Sequence, residues 1–398
     1  MLDLLKGIRV VSFNHFLLGP MGVQALGDLG ADVIAVEATE GSWARKWASG
    51  NVWPDGQSAL HVCANRNKRS LALDLKSAKG REIALRLIDT ADVIAENFRP
   101  GVMERLGLGY QALRLRRPGL IYASASGYGP DGPYVDKPGQ DLLAQALFGM
   151  MAITGSAGAP RPAGASVIDH HGAALLAMGI LAALVRRQRT GQGCRVDASL
   201  MQAALDLQAE SLVAFSNASA ERSIHAPRHV AGWYFAAPYG VYATADGHLA
   251  VSLSPLAALA AALPEPRLAT YSEEESWKKQ DEIGALIARH LARAPTSAWI
   301  ARLEPLGIWH APVRGYAAIL ADPQVAHMKA LVHTAGCGDT GAELTLVNHP
   351  VLYDGEAAEV RLAPQRLGAQ TREVLGEIGF GDEEIATLAR DRIIACAE

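Results

Sequence analysis

The sequence predicts an α/β fold, and three observations predict it. Short apolar runs of strand length alternate with helical stretches through the first third of the chain, which implies a mostly parallel sheet covered on both faces. The chain has 398 residues, of which 49% are hydrophobic and 20% charged, so it can bury a substantial core without disulfides. Near Ser219 the character changes, and a hairpin signal follows, which predicts a smaller α+β domain.

The elements follow in order. Ile8 to Phe13 is an apolar run of strand type, and Asn14 to Gly19 is a loop. Pro20 suits the first position of a short helix that ends near Gly30. Strands are expected at Val33–Glu37, Ser70–Leu75, Asp92–Ile94 and Leu120–Ser124, with a helix from about Ala78 to Asp89. The middle is helical: Asp141–Met151 and His170–Arg187 are rich in Ala, Leu and Met, and Thr190-Gly191-Gln192-Gly193 stops the second. Arg195–Ala198 returns to the sheet, and Leu200 to about Ser216 is another helix. Ser219 to His229 reads as a linker. Beyond it, Tyr239–Thr244 and His248–Leu253 flank Ala245-Asp246-Gly247, with Asp-Gly supplying a hairpin turn. Helices are expected at about Glu275–Ala292, Thr296–Leu303, Thr371–Ile378 and Asp382–Ala389.

Composition excludes several function classes. Net charge is −4, so a nucleic-acid role has no electrostatic support. Cys63, Cys194, Cys337 and Cys396 form no CxxC pair, which argues against a zinc site and for a reducing compartment. Met1–Lys6 runs directly into a strand-like segment, so no secretory signal is expected. The longest apolar run, Ala173–Val185, falls short of the ~20 residues that span a bilayer, so it reads as a buried core helix.

Common chemical signatures are missing. Asn14-His15-Phe16-Leu17-Leu18-Gly19-Pro20 follows the first strand where a dinucleotide site would place GxGxxG. There is no Walker sequence, no HExxH and no GxSxG. His170 and His171 are adjacent and would diverge on a helix, which makes a poor metal pair. Asp169, at the start of an Ala/Leu-rich helix, reads by itself as a helix N-cap.

A series of motifs changes the reading of Asp169. Leu5-Lys6-Gly7-Ile8-Arg9-Val10-Val11 opens it, then Gly27-Asp28-Leu29-Gly30-Ala31-Asp32-Val33-Ile34 and Val36-Glu37. Asn67-Lys68-Arg69-Ser70, Leu73-Asp74-Leu75-Lys76 and Glu96-Asn97-Phe98-Arg99-Pro100-Gly101 follow. Ser126-Gly127-Tyr128-Gly129-Pro130-Asp131-Gly132-Pro133 and Thr190-Gly191-Gln192-Gly193 complete the set. In this order and spacing the chain resembles the family III CoA transferases, over nearly its whole length and densely through residue 200.

The resemblance implies a cytoplasmic enzyme that moves CoA from an acyl-CoA donor to a carboxylic acid. It implies Asp169 as the nucleophile, forming a mixed anhydride and then an aspartyl thioester, a role the positive end of a helix dipole would favour. Gly172 would leave room for substrate. CoA is then substrate and product; no further cofactor, metal, nucleic acid or membrane is implied. Carried over position by position, the CoA contacts are His15, Leu17, Leu73, Lys76, Asn97, Phe98, Arg105 and Lys137. Arg and Lys suit phosphates, and Phe98 offers a face to the base. The implied fold is a Rossmann-like large domain over 1–210, completed by 330–398, and a small α+β domain over 225–320. Two linkers, near 210–230 and 320–340, would join them, and two chains would interlock as rings in a homodimer.

Departures bear on the substrate. Leu17 stands where the formyl-CoA branch has Gln, and Ala38 where it has Arg. The Gly-rich flap is not evident, and the C-terminal GEHT-like signature reads Gly368-Ala369-Gln370-Thr371. The nearest rival is an α-methylacyl-CoA racemase, which carries Gly-His-Asp where this chain has Gly139-Gln140-Asp141. Glutamine is no general base at neutral pH, so Gln140 favours transfer. A CoA-ester-binding protein without turnover is a second rival, against which Asp169 argues. An NAD dehydrogenase lacks its glycine fingerprint.

Overall fold

The computed structural model describes residues 2–219 and 223–397. Met1, Glu398 and three residues of the expected linker, 220–222, lie outside the described residues. From the N-terminus come β1 (Arg9–Phe13), α1 (Leu18–Asp28), β2 (Asp32–Glu37), α2 (Trp43–Lys46) and α3 (Ala59–Ala64). Next are β3 (Lys68–Leu73), α4 (Ala78–Ile88), β4 (Val93–Glu96), α5 (Val102–Arg105), α6 (Tyr110–Arg116) and β5 (Ile121–Ser126). The middle holds α7 (Asp141–Leu147), α8 (Met150–Thr154), the 24-residue α9 (Val167–Thr190), β6 (Arg195–Ser199), α10 (Leu200–Leu207) and α11 (Ala209–Ser216). Then follow β7 (Gly240–Ala243), β8 (His248–Val251), α12 (Leu256–Ala262), α13 (Glu273–Lys278), α14 (Gln280–Leu291), α15 (Thr296–Leu303) and β9 (His310–Pro312). The chain ends with α16 (Tyr316–Leu320), α17 (Pro323–His327), β10 (Leu331–Ala335), β11 (Glu343–Val347), α18 (Thr371–Glu377), α19 (Asp382–Arg390) and β12 (Ile394–Ala395).

Seven strands form one sheet in the order β12-β3-β2-β1-β4-β5-β6, parallel except for β12 at the edge. The order runs outward from β1 in both directions, and the crevice of such a sheet opens at the carboxyl ends of the two strands where it reverses, β1 and β4. One core cluster joins the strands to α4 and the C-terminal helices: Phe13, Ile34, Leu71, Ile83, Leu87 and Ile94 pack with Val374, Leu375 and Leu388. Strand residues buried this uniformly give the short apolar runs seen in the sequence. On α9 the residues Ile168, Gly172, Ala173, Leu176 and Ile180 are buried, and the helix packs on α1 and α10. By length and hydropathy α9 is also able to cross a bilayer.

The chain divides into two compact units. The first comprises 1–144, 166–207 and 323–398, and the second 145–165 and 208–322. Residues 145–165 therefore leave the stretch 1–210 assigned to the large domain, and the chain passes between units four times where two linkers were expected. The second unit has its own core, with Tyr242, Leu249, Ile283, Ile287 and Trp299 buried around the expected hairpin.

Several helices break where one was expected. Gly149 takes φ 91°, which glycine tolerates, and separates α7 from α8. Gln208 separates α10 from α11, its side chain donating to the Phe148 carbonyl at 3.0 Å. A third break falls at Lys279, between α13 and α14. Pro20 is the third residue of α1, not the first; its missing N–H costs nothing there because first-turn donors have no partner inside the helix.

Candidate active site

The register levels the strand ends. Ser12 pairs with Ala35 and Phe13 with Glu96, so the loops after β1 and β4 emerge side by side. They are tied reciprocally: the His15 N–H donates to Asn97 Oδ1 at 2.8 Å, and Asn97 Nδ2 donates to the His15 carbonyl at 2.7 Å. The His15 ring meets Phe98 at 5.5 Å. Burial lowers the His15 pKa, so its imidazole is neutral at pH 7. Phe16 holds φ 61°, a left-handed value costing roughly 1–3 kcal/mol in a non-glycine residue.

Asn14 occupies the same crevice. Its Nδ2 donates to Ser12 Oγ at 3.0 Å, while its buried Oδ1 has no partner. A Cβ on Gly19 would lie 2.2 Å from that oxygen, so glycine is what allows the side chain its place. Lys68 is buried nearby, with Nζ donating to the Pro20 and Ala64 carbonyls and to Asn65 Oδ1 at 2.7–2.9 Å. Burial pushes its pKa down to about 7.

The nucleophile candidate stands at the start of α9. Ser166 holds the N-cap position and Asp169 is the third helical residue, so Asp169 is not the cap. The Asp141 carboxylate does the capping from a distance, its Oδ1 accepting the Ile168 and Asp169 N–H groups at 2.8 and 3.0 Å. Burial, with the negative Asp141 beside it, raises the Asp169 pKa to about 7. The space at Gly172 is taken: a Cβ there would come within 2.6 Å of Leu18 Cδ1, so this glycine seats α9 on α1. His170 and His171 diverge as expected, to the Ser166 carbonyl at 2.8 Å and to Asp206 at 2.7 Å.

The other expected contacts separate into two groups. Lys76, after β3, Arg105, at the end of α5, and Lys137, in the loop after β5, are exposed beyond the carboxyl ends of the strands. The Lys137 ammonium lies 3.7 Å from the Tyr134 ring centre. Leu17 and Leu73 are buried. Leu73 is 1% exposed within the main core, so its side chain cannot touch a ligand, and β-branched or apolar bulk is what its strand position demands. Leu17 joins a small apolar cluster with Ala44, Leu60, Ala64 and Met21.

Other residues were given no role from the sequence. A cavity of about 180 Å³ beside β4 and β5 is lined by Glu96, Arg99, Glu104, Ser124, Ser126 and Arg195 among others. Glu96 accepts the Phe98 N–H at 2.9 Å, and burial raises its pKa to about 7. The available signal was its place as the one acid ending the apolar run Val93-Ile94-Ala95.

A parallel sheet with a crevice at its point of reversal, and a half-buried carboxylate at a capped helix start, define an α/β protein with a candidate active-site acid. The profile of CoA-transferase family III matches residues 5–371. An acyl-CoA transferase of Fusarium pseudograminearum is 35% identical over 98% of this chain and 88% of its own length. An acetyl-CoA:oxalate CoA-transferase of Acetobacter aceti is 32% identical over 83% and 86%. The crystal structure of a CaiB/BaiF family protein from Brucella suis superposes with a TM-score of 0.82, at 25% identity, over 95% of this chain and all of that one. The chain belongs to CoA-transferase family III and is an enzyme of that family.

Proposed function

We propose that the enzyme moves CoA from an acyl-CoA donor to a carboxylic acid through covalent intermediates on Asp169. The observation that carries this reading is the placement of Asp169: a half-buried carboxylate in the first turn of α9, within a helix start organised by Asp141. Its oxygen attacks the donor carbonyl and expels CoA thiolate, giving a mixed anhydride. The thiolate attacks the aspartyl carbonyl, releasing the donor acid and leaving an aspartyl thioester. The acceptor carboxylate displaces the thiolate to form a second anhydride. Thiolate then takes the acceptor acyl group and frees Asp169. Each step exchanges activated acyl groups of similar energy, so each is reversible.

The CoA moiety is read onto the carboxyl edge of the sheet. Asn97 sets the His15 loop, Phe98 gives a face for the base, and Lys76, Arg105 and Lys137 supply charge for the phosphates. The unpartnered Asn14 Oδ1 suits an amide N–H of the pantetheine arm. Leu17 is apolar wall, and Leu73 contributes through its backbone alone. The same reading makes the first unit Rossmann-like and the enzyme a cytoplasmic homodimer, for which four free cysteines are in keeping.

Turnover with an ¹⁸O-labelled acceptor acid tests the mechanism. The acceptor's oxygen bridges the second anhydride and stays on Asp169 when thiolate removes the acyl group. Label is therefore expected in the peptide bearing Asp169. Sustained turnover with no label there would overturn the covalent route.

A further inference from the structure

An aromatic surface lies open beside the crevice that holds His15. The Trp43 and Trp47 indoles stack with centroids 5.0 Å apart and planes 16° from parallel. Phe16 packs on Trp43 at 5.0 Å, and the His15 ring meets Phe16 edge-on at 4.7 Å. Three of these rings keep much of their area in the open: Phe16 37%, Trp43 46% and Trp47 46%. A single exposed aromatic is ordinary, but a contiguous set marks a surface that binds something. Leu17 and Ala44, the chain neighbours of Phe16 and Trp43, sit in a small apolar cluster with Leu60, Ala64 and Met21.

A short stretch of chain joins this surface to the helix that carries the proposed nucleophile. Asp169 and Gly172, three residues apart, share one face of α9. Leu18 fills the space at Gly172, and Leu17 and Phe16 directly precede Leu18 in the chain. From the Gly172 contact at Leu18, the first residue of α1, the chain leads back through Leu17 to Phe16, which packs on Trp43. At its other end, His15 and Phe98 connect the same rings to the residues assigned to CoA.

Most of the positive charge near this surface is committed; the exception is Lys46, which is exposed on the same helix as Trp43, one residue before Trp47. The Arg45 guanidinium holds Glu37 at 2.6 and 2.8 Å and the Gln365 carbonyl at 3.0 Å. The Lys68 ammonium is satisfied by three internal acceptors. His15 is neutral, and Asp141 and Asp169 make the helix start acidic. An acyl group carrying a second carboxylate would lose water here and meet indole faces and acids. A flat ring would gain area and offset stacking on the indoles.

We propose that this surface receives the acyl group, that the acids carried as CoA esters are aryl-bearing monocarboxylic acids, and that Trp43 and Trp47 select them. The proposal rests on the transferase reading above. Exchange of a ¹³C-labelled free acid into its own CoA ester tests it without any second substrate. Phenylacetyl-CoA should exchange with a kcat/KM about tenfold or more above that of succinyl-CoA. Trp43→Ala and Trp47→Ala should each lower that ratio several-fold, and Trp43→Phe and Trp47→Phe should keep most of it, since a phenyl face still stacks. Circular dichroism checks that each variant is folded. Succinyl-CoA exchanging as well as or better than phenylacetyl-CoA would overturn the proposal, as would loss of succinyl exchange in Lys46→Ala, which would mean that this exposed lysine receives a second carboxylate. Calorimetric binding of both esters separates the two readings. With no exchange of either ester but tighter phenylacetyl-CoA binding, the transferase reading fails and the acyl assignment stands. Equal affinities would remove the acyl assignment whatever the exchange shows.

Discussion

At the scale of single residues, burial makes the ionised form of Asp169 costly to the fold. Its carboxyl would titrate near 3.8 in the unfolded chain and is raised to about 7 in the fold. Between those values the folded protein binds the extra proton, so stability falls as pH rises from about 4 to about 7, and the cost is complete above that range. Asp169→Asn, which has no charge to bury, should therefore raise the thermal midpoint at pH 8, by an amount worth on the order of 2–4 kcal/mol, and give little gain at pH 4. The same variant should abolish transfer. In the native enzyme the rate should fall as pH drops below about 7, because only the carboxylate attacks. A midpoint for Asp169→Asn that is unchanged at pH 8 would show the carboxylate to be well solvated. Arg105 makes the opposite kind of contribution. It is exposed at the end of α5 and is assigned above to a CoA phosphate, so Arg105→Ala should raise KM for the CoA ester and leave kcat nearly intact. A lowered kcat at unchanged KM would place it in the chemistry instead.

At the scale of elements, the start of α9 depends on a residue 28 positions earlier in the chain. Asp141 is an acceptor for two otherwise unpartnered helix donors and a negative neighbour for Asp169. The two roles separate by substitution. Asp141→Asn keeps an oxygen for the N–H groups but removes the charge, so the acid limb of the rate profile should move to lower pH. Asp141→Ala removes the acceptor too, at a cost of about 1 kcal/mol in stability, and should slow transfer at every pH by loosening the carboxylate's position. Identical pH profiles for Asp141→Asn and the native enzyme would remove the electrostatic role. This long-range cap was not legible in the sequence, where Asp141 read only as the third member of Gly139-Gln140-Asp141. Periodicity found the parallel strands because each is buried on both faces, and it found α9 for its length. It missed the breaks at Gly149 and Gln208, since a helix-compatible composition runs through both. It also missed that Gly172 serves helix packing and that Leu73 faces the core, because position in a motif carries no direction for a side chain.

At the scale of the molecule, the motifs that made the family legible are mostly those that hold the first unit together. In Asn67-Lys68-Arg69-Ser70, Asn67 accepts the Arg361 and Leu362 N–H groups and donates to Asp28, which also pairs with buried Arg66. Arg69 binds Asp32, Glu373 and Glu377. Ser70 accepts from Gly368, and its N–H goes to Gln370, so the tail Gly368-Ala369-Gln370-Thr371 is fastened to β3 even without the histidine of its signature. The C-terminal segment thus closes back on the N-terminal sheet after the chain has passed through the second unit. Outward-facing apolar side chains remain on the helices of the first unit, with Met178 and Val185 of α9 at 61% and 53% exposure and Leu205 and Leu207 of α10 at 40% and 41%. A second copy of the chain is the occupant that the proposed interlocked homodimer supplies. Rings threaded through one another cannot part by dilution; one must open or unfold. Sedimentation at nanomolar concentration should therefore show only a species of twice the chain mass. Two differently tagged preparations, mixed and incubated for days, should form no mixed dimers until they are denatured and refolded together. Folded monomer at nanomolar concentration would refute a stable dimer. Mixed dimers appearing under native conditions would leave a dimer whose chains meet face to face without threading.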